Sequence, residues 1–303
     1  MVTVIASIGA LALSDVSNVT NSGTLVTVTH TAAHGLTADQ YVKLANVSGI
    51  TNVNGSWQIG AVSDTTWNFT ATSTPTGLYT SGGDVTRDYT DPITWEDGTT
   101  GDLVTATEIR IGECYDDNDG GGFTIENFGT QLDIDNADIV NYTSASYYRV
   151  LRAFSGHTYD PTSRTGVYIN KSVSETAASC HGITVTEHYF RMEHIGVVMF
   201  SYTTNSVPST NTTVYAGVNA SGANLILNGV TVDFQVGTGD TLLGFTTGAG
   251  SALYNCLAIG SNAAQVGIGV GFKIALTTDV INCVAYGVAS GTGYGFWSST
   301  GTG

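Results

Sequence analysis

The chain has 303 residues, 42% of them hydrophobic, which is enough to bury one extended core or two compact ones and excludes a disordered tail. Only 11% are charged, against roughly 25% in an average globular protein, and 38 glycines with abundant Thr, Ser, Asn and Val make a strand-and-turn composition poor in helix formers. Nine basic residues face 25 acidic ones, and the net charge of −16 repels nucleic-acid phosphates and anionic membrane surfaces alike, so neither a nucleic-acid partner nor membrane insertion is expected.

The opening stretch Met1 to Leu13 is apolar, but it has no basic n-region and Gly9 interrupts it, so it reads neither as a signal peptide nor as a membrane span. Within it, Val2 to Gly9 reads as a strand. Five alternating segments follow, Thr24 to His30, Tyr41 to Ala45, Trp57 to Val62, Thr66 to Thr70 and Gly83 to Thr86, separated by Gly, Asn, Asp and Pro. They predict a small antiparallel β-barrel or sandwich. His30 and His34 are four apart but straddle a strand end and a turn, which argues against a shared metal. Arg87 to Gly98 reads as a short helix with an Asp or Thr at its N-cap, and the strand Thr107 to Tyr115 follows.

Carboxylates further on carry the candidate chemistry. Asp116, Asp117, Asn118 and Asp119 place four oxygen side chains in one loop, a candidate Ca²⁺ site, although an EF-hand's distal Glu is missing and a polar turn has the same composition. No other cofactor is expected. Asp133, Asp135 and Asp138, with Glu187, His188, Glu193 and His194, supply candidate catalytic groups for glycoside cleavage, which needs paired carboxylates on one exposed face. Any solvated sheet face carries such residues too. Tyr147, Tyr148, Tyr159, Tyr168 and Tyr189 are candidates for an aromatic platform that would bind a host surface polysaccharide. Cys114, Cys180, Cys256 and Cys283 form no Cys-x-x-Cys pair and read as buried free thiols.

The last third is repetitive. Leu227 to Val232, Tyr254 to Ile259 and Ile281 to Tyr286 align without gaps, with Asn228, Asn255 and Asn282 spaced 27 and 27. This alignment stacks Cys256 on Cys283 and puts Gly229 at the same place. A second series, Leu243-Gly244-Phe245, Val270-Gly271-Phe272 and Tyr294-Gly295-Phe296, runs in step with it. Met192 to Val197 is a looser earlier copy, 35 residues before the Asn228 segment, with the polar stretch 203–213 absorbing the extra length. A period of about 27 with no helical segment predicts one coil of about three strands per repeat, with the asparagines and the phenylalanines Phe245, Phe272 and Phe296 forming ladders.

This pattern resembles a right-handed parallel β-helix of the pectate-lyase type, and the segment from Arg87 to Tyr115 resembles the capping helix and first strand of pectin-lyase-like members found in phages and bacteria. In those proteins a Thr-x-x-Ile-Gly strand runs directly into an Arg-Asp-Tyr helix. Here the two parts are Val2 to Gly9 and Arg87-Asp88-Tyr89, so the resemblance implies an all-β chain with residues 1–9 as the first strand, 10–86 as an inserted antiparallel domain, and 87–303 as capping helix and β-helix. The markers His34-Gly35-Leu36, Val47-Ser48-Gly49, Asn54 to Trp57 and Tyr79 to Gly83 resemble a module of phage tail and virion proteins, with a distant similarity to a β-domain of ubiquitin-activating enzymes. The final residues stop within a coil, so the helix is expected either to continue beyond residue 303 or to be capped by a partner.

The function these resemblances imply is that of a structural component of a phage-like virion, a fibre, spike or decoration protein. It would sit on the particle surface, bind other virion proteins and form a homo-oligomer, by analogy a trimer. Two alternatives are a tailspike-like polysaccharide depolymerase and a bacterial surface adhesin or filament subunit, the latter at the cell surface or secreted.

Overall fold

The computed structural model describes residues 1–117, 123–125, 132–135, 143–173, 179–201, 214–235, 241–260, 268–275, 277–287 and 292–298. Asn118, Asp119 and Asp138 and the polar stretch 203–213 lie outside them. The chain divides into two compact units, Met1–Val4 with Glu96–Gly303, and Ile5–Trp95. Both are built almost wholly of strands, and no helix among the described residues is long and apolar enough to cross a membrane.

The larger unit contains three parallel sheets. The first has the order Val2–Ile8, Glu108–Cys114, Arg149–Ala153, Arg191–Glu193, Ile226–Asn228, Ala252–Tyr254, Asp279–Ile281; the second runs Phe123–Ile125, Tyr168–Val173, Gly196–Ser201, Thr231–Gln235, Leu257–Ile259, Val284–Tyr286; the third runs Leu132–Ile134, Ser179–Val185, Val214–Ala220, Thr241–Thr246, Ile268–Ile274, Thr292–Ser298. From Glu108 onward the chain visits first, second and third sheet in the same cyclic order, an arrangement compatible with a β-helix.

Register follows burial. Leu151, Met192, Leu227 and Leu253 occupy one row of the first sheet, Ile169, Val197, Val232 and Ala258 a row of the second, and Ile183, Val218, Phe245 and Phe272 a row of the third, and all twelve are essentially buried. Each strand pairs with its copy one turn of the sequence later, so each row is a column of one kind of side chain. Phe245 lies 4.9 Å from Phe272 with the rings 2° from parallel, and Phe272 lies 4.9 Å from Phe296, the spacing of neighbouring strands.

The gapless alignment of the repeats is off by one residue at its first copy. Leu227 pairs with Leu253 and Asn228 with Tyr254, so the equivalent of Asn255 is Gly229 and the equivalent of Cys256 is Val230. The reason lies in the backbone: the corner between first and second sheets requires one left-handed residue, and His194 (φ 60°), Gly229 (φ 64°), Asn255 (φ 53°) and Asn282 (φ 55°) fill it. Asn and Gly tolerate that geometry best, so an Asn immediately before a Gly concealed which of the two turns the corner.

The smaller unit is antiparallel. Ala12–Leu13, Asp84–Thr86, Tyr41–Ala45 and Gly55–Gln58 form one sheet, Val16–Ser22, Leu25–His30 and Thr66–Thr70 another, and Ser48–Ile50 pairs with Gly77–Ser81. Val26, Val28, Leu44, Trp67, Phe69 and Val85 meet in its core. Two differences from expectation have separate causes. Val16–Ser22 was not foreseen because only Val19 of its seven residues is buried, and the strand expected to reach Val62 ends at Gln58, where Gly60 and Ala61 face the Asn68 side chain. Within this unit Ser7 and Asp88 are joined by three hydrogen bonds of 2.8–3.0 Å, and Gly9 N–H donates to the Tyr89 carbonyl at 3.0 Å, so the two ends of the 10–86 segment lie side by side.

The helix expected from Arg87 begins only at Pro92 and runs to Gly98, with Asp91 accepting from the Thr94 N–H at 2.8 Å. A second short helix, Leu103–Ala106, precedes the following strand. It ends on Thr107 in the left-handed region (φ 57°), and the strand proper is Glu108–Cys114.

Candidate functional site

The candidate carboxylates are distributed over separate places. Glu187 follows the strand Ser179–Val185 and is 4% exposed. Arg149, itself 1% exposed, donates from Nε to Glu187 Oε2 at 2.8 Å and from Nη2 to Glu187, to Glu96 Oε1 at 3.0 Å and to the Asp135 carbonyl at 3.0 Å. Burial works against the Arg149 charge, but Glu187 and then Glu96 outweigh it and keep the guanidinium firmly protonated. Burial pushes the Glu96 carboxyl up, against the pull of Arg149. This ion network joins Glu96 to Arg149 of the first sheet and to Glu187, which follows a strand of the third, and it occupies Glu187 in an ion pair away from solvent.

Glu193 stands on the outer face of the first sheet, in register with Arg152, which is in register with Glu113. Arg152 donates to Glu113 Oε2 from Nε at 3.0 Å and Nη2 at 2.6 Å, and the Tyr115 hydroxyl donates to Glu113 Oε1 at 2.6 Å. His194 turns the left-handed corner, and its ring lies over Gly229, where any Cβ would fall 2.4 Å from Nδ1. Asp133 is exposed on the third sheet opposite Thr184. Its charge favours protonation of His181, yet burial prevails and lowers that imidazole. The structure therefore groups Asp135 with Glu187 through a backbone carbonyl only, and places Asp133 and Glu193 on different sheets.

Asp116 accepts from the Gly166 N–H at 3.1 Å, and its own N–H donates to His157 Nδ1 at 2.9 Å. Among the described residues no group of three or more His, Cys, Asp or Glu is arranged to hold a metal. The tyrosines do not share one platform. Tyr148 lies under the Arg191 guanidinium at 3.7 Å on the first sheet, whereas Tyr159, 5.4 Å from Tyr168, covers Gly196 and reaches Asp233, which also pairs with Arg164.

The corner amides connect successive copies. Asn255 donates to Asn228 Oδ1 at 3.1 Å and Asn282 to Asn255 Oδ1 at 3.4 Å, so Asn228 joins the amide chain from one residue before the corner. In the smaller unit Trp67 Nε1 donates to His30 Nε2 at 3.0 Å, which leaves His30 Nδ1 as donor to Asp15 Oδ1 at 2.7 Å. That bond holds the Asp15 carboxyl below its usual value. His34 Nδ1 accepts from the Leu36 N–H at 3.0 Å, and burial lowers the His34 imidazole.

Arg149, Glu96 and Glu113 were not among the residues singled out from the sequence. The available signal was Arg149 itself, a scarce basic residue between Tyr148 and the apolar pair Val150-Leu151, since a charge among such neighbours needs a partner if it is buried.

Residues 21–88 match the family described as the ubiquitin-activating enzyme E1 FCCH domain. No curated protein matches the chain. Among solved structures, the tailspike protein gp49 from Pseudomonas phage LKA1 aligns at 10% identity with a TM-score of 0.17, over 94% of this chain and 52% of that one. The chain thus spans about half the length of that tailspike.

Proposed function

We propose that this chain is a structural subunit of a phage-like virion, a fibre, spike or decoration protein on the particle surface. In this reading the three parallel sheets are a right-handed β-helix with coils of about 27 residues, closed at its start by the helix Pro92–Gly98, and residues 10–86 are a domain inserted into its first turn. The observation that carries it is the repeated cyclic visit to three sheets with equivalent side chains in column, which makes each coil a template for the next and builds a stiff shaft rather than a cleft. The pairing of Ser7 with Asp88 supports the insertion, because it brings the two ends of the 10–86 segment side by side.

The carboxylates favour scaffold over enzyme. Glu187, Glu96 and Glu113 are held by arginines, and Asp133 and Glu193 lie on different sheets, whereas glycoside hydrolysis needs two carboxyl groups within about 5–9.5 Å. The subunit assembles as a homo-oligomer with other virion proteins. Peptide mass spectrometry and cryo-EM of purified particles from the source should find the chain in stoichiometric amount, with the purified protein releasing no oligosaccharide from host surface polysaccharide. Absence from the particle overturns the reading, and release of oligosaccharide replaces it with a depolymerase.

A further inference from the structure

The residue following each left-handed corner forms a column through the larger unit. Backbone bonds from Gly196 to Val167, Thr231 to Ile195, Leu257 to Val230 and Val284 to Cys256 define it as Val167, Ile195, Val230, Cys256 and Cys283. The first four are at most 1% exposed, and Cys283 is half-buried. The column changes from branched aliphatic to thiol at its last two members.

Both thiols are placed alike. Cys256 points its sulfur at the Leu227 carbonyl (3.5 Å) and the Tyr254 carbonyl (3.4 Å), Cys283 at the Leu253 carbonyl (3.6 Å) and the Ile281 carbonyl (3.5 Å). Leu227 and Leu253 are register partners, as are Tyr254 and Ile281. One thiol is therefore the other displaced by one strand step of about 4.8 Å. A Cα separation of that size lies inside the roughly 4.4–6.8 Å that a disulfide spans, and side-chain rotation with a shift of a few tenths of an ångström at the corners brings the Cβ atoms to about 4.5 Å and the sulfurs together.

We propose that Cys256 and Cys283 are an oxidation site at which a disulfide joins two successive corners, formed by exchange with a low-molecular-weight disulfide of the glutathione type. The half-buried Cys283 reacts first. Its thiolate attacks one sulfur of oxidised glutathione, that S–S bond breaks, and one glutathione leaves and takes up the proton Cys283 released. Cys256 then attacks the Cys283 sulfur of the mixed disulfide, expels the second glutathione and passes its proton to it. Two protein thiols are oxidised, and one glutathione disulfide is reduced to two thiols. The order agrees with the electrostatics, because the Cys256 S–H donating toward Cys283 lowers the Cys283 thiol to about 7 and raises its own.

The test equilibrates the full chain with oxidised glutathione, blocks residual thiols by alkylation and maps the digest by mass spectrometry. The expected result is a cross-linked peptide pair joining Cys256 to Cys283, loss of alkylation at both, and a higher thermal midpoint than after reduction. That difference in midpoint should vanish in Cys283→Ser and in Cys256→Ser. Three results overturn the proposal in protein with an unchanged circular dichroism spectrum: both cysteines alkylated, arrest at a glutathione adduct on Cys283, or a cross-link to Cys180 instead. The mapping uses the unmodified sequence, so it stands even if a serine variant fails to fold.

Discussion

Gly244 sits between the register rows of Leu243 and Phe245, and a Cβ there would lie 2.3 Å from the Gly271 carbonyl oxygen and 2.8 Å from the Ala258 Cβ. Gly182, Gly217 and Gly271 meet the facing sheet just as closely, whereas a Cβ on Gly295 finds nothing nearer than 3.9 Å. Gly244→Ala should therefore destabilise the chain by about 1–3 kcal/mol, and Gly295→Ala by less than about 0.5 kcal/mol, as read from denaturant midpoints. A second residue-scale effect belongs to His34. Its buried imidazole binds a proton less readily than in the unfolded chain, where the ordinary value is 6.5. Stability from this group is complete above that value and is lost as pH falls below it, because protonation then favours the unfolded state. The charges facing it are His30, which adds to this depression, and Asp15 and Asp64, which oppose it. Between about pH 7 and pH 5 the tryptophan-fluorescence midpoint should fall less in His34→Gln than in the parent.

At the scale of elements, Glu96 joins Arg149 and Glu187 in a buried ion network within the larger unit. Replacing Arg149 with Met leaves Glu187 and Glu96 buried without their cation and should cost about 3–5 kcal/mol in urea unfolding, most of it recovered when both glutamates are also replaced by Gln. The helix Pro92–Gly98 was legible from an Asp or Thr cap and from Gly98, since capping chemistry is local, but its start was expected at Arg87 and lies at Pro92. The short helix Leu103–Ala106 was not, because its four residues carry no periodicity to read. The same contrast holds for the candidate site. Glu187 and Glu193 look equivalent along the chain, and only the position of Arg149 buries one and leaves the other on an outer face. In the smaller unit the apolar alternation of Leu25–His30 and Thr66–Thr70 was readable, while Val16–Ser22, with its solvent-facing Ser, Asn and Thr, took its place through pairing with Leu25–His30.

For the molecule as a whole, charge sets what it avoids. With a net charge of −16 and few basic residues to offset it, the chain should bind neither duplex DNA nor anionic vesicles with a dissociation constant below about 10⁻⁴ M at physiological salt, as measured by filter binding and co-sedimentation. Stability in stacked sheets is a sum over neighbouring strands, so a lesion such as Gly244→Ala acts through the strand on either side of it.

The sequence by itself determined the all-β character and the left-handed corners at Asn255 and Asn282, because composition and turn preference are properties of a chain read locally. Tertiary structure alone decided that Gly229 rather than Asn228 turns its corner, that the glycine column reaches back to Gly182, and that Arg149 takes Glu187 and Glu96 out of solvent. Each of these depends on which residues distant in the chain face one another across a strand spacing, and register between strands is set by packing of the shared core rather than by any one segment.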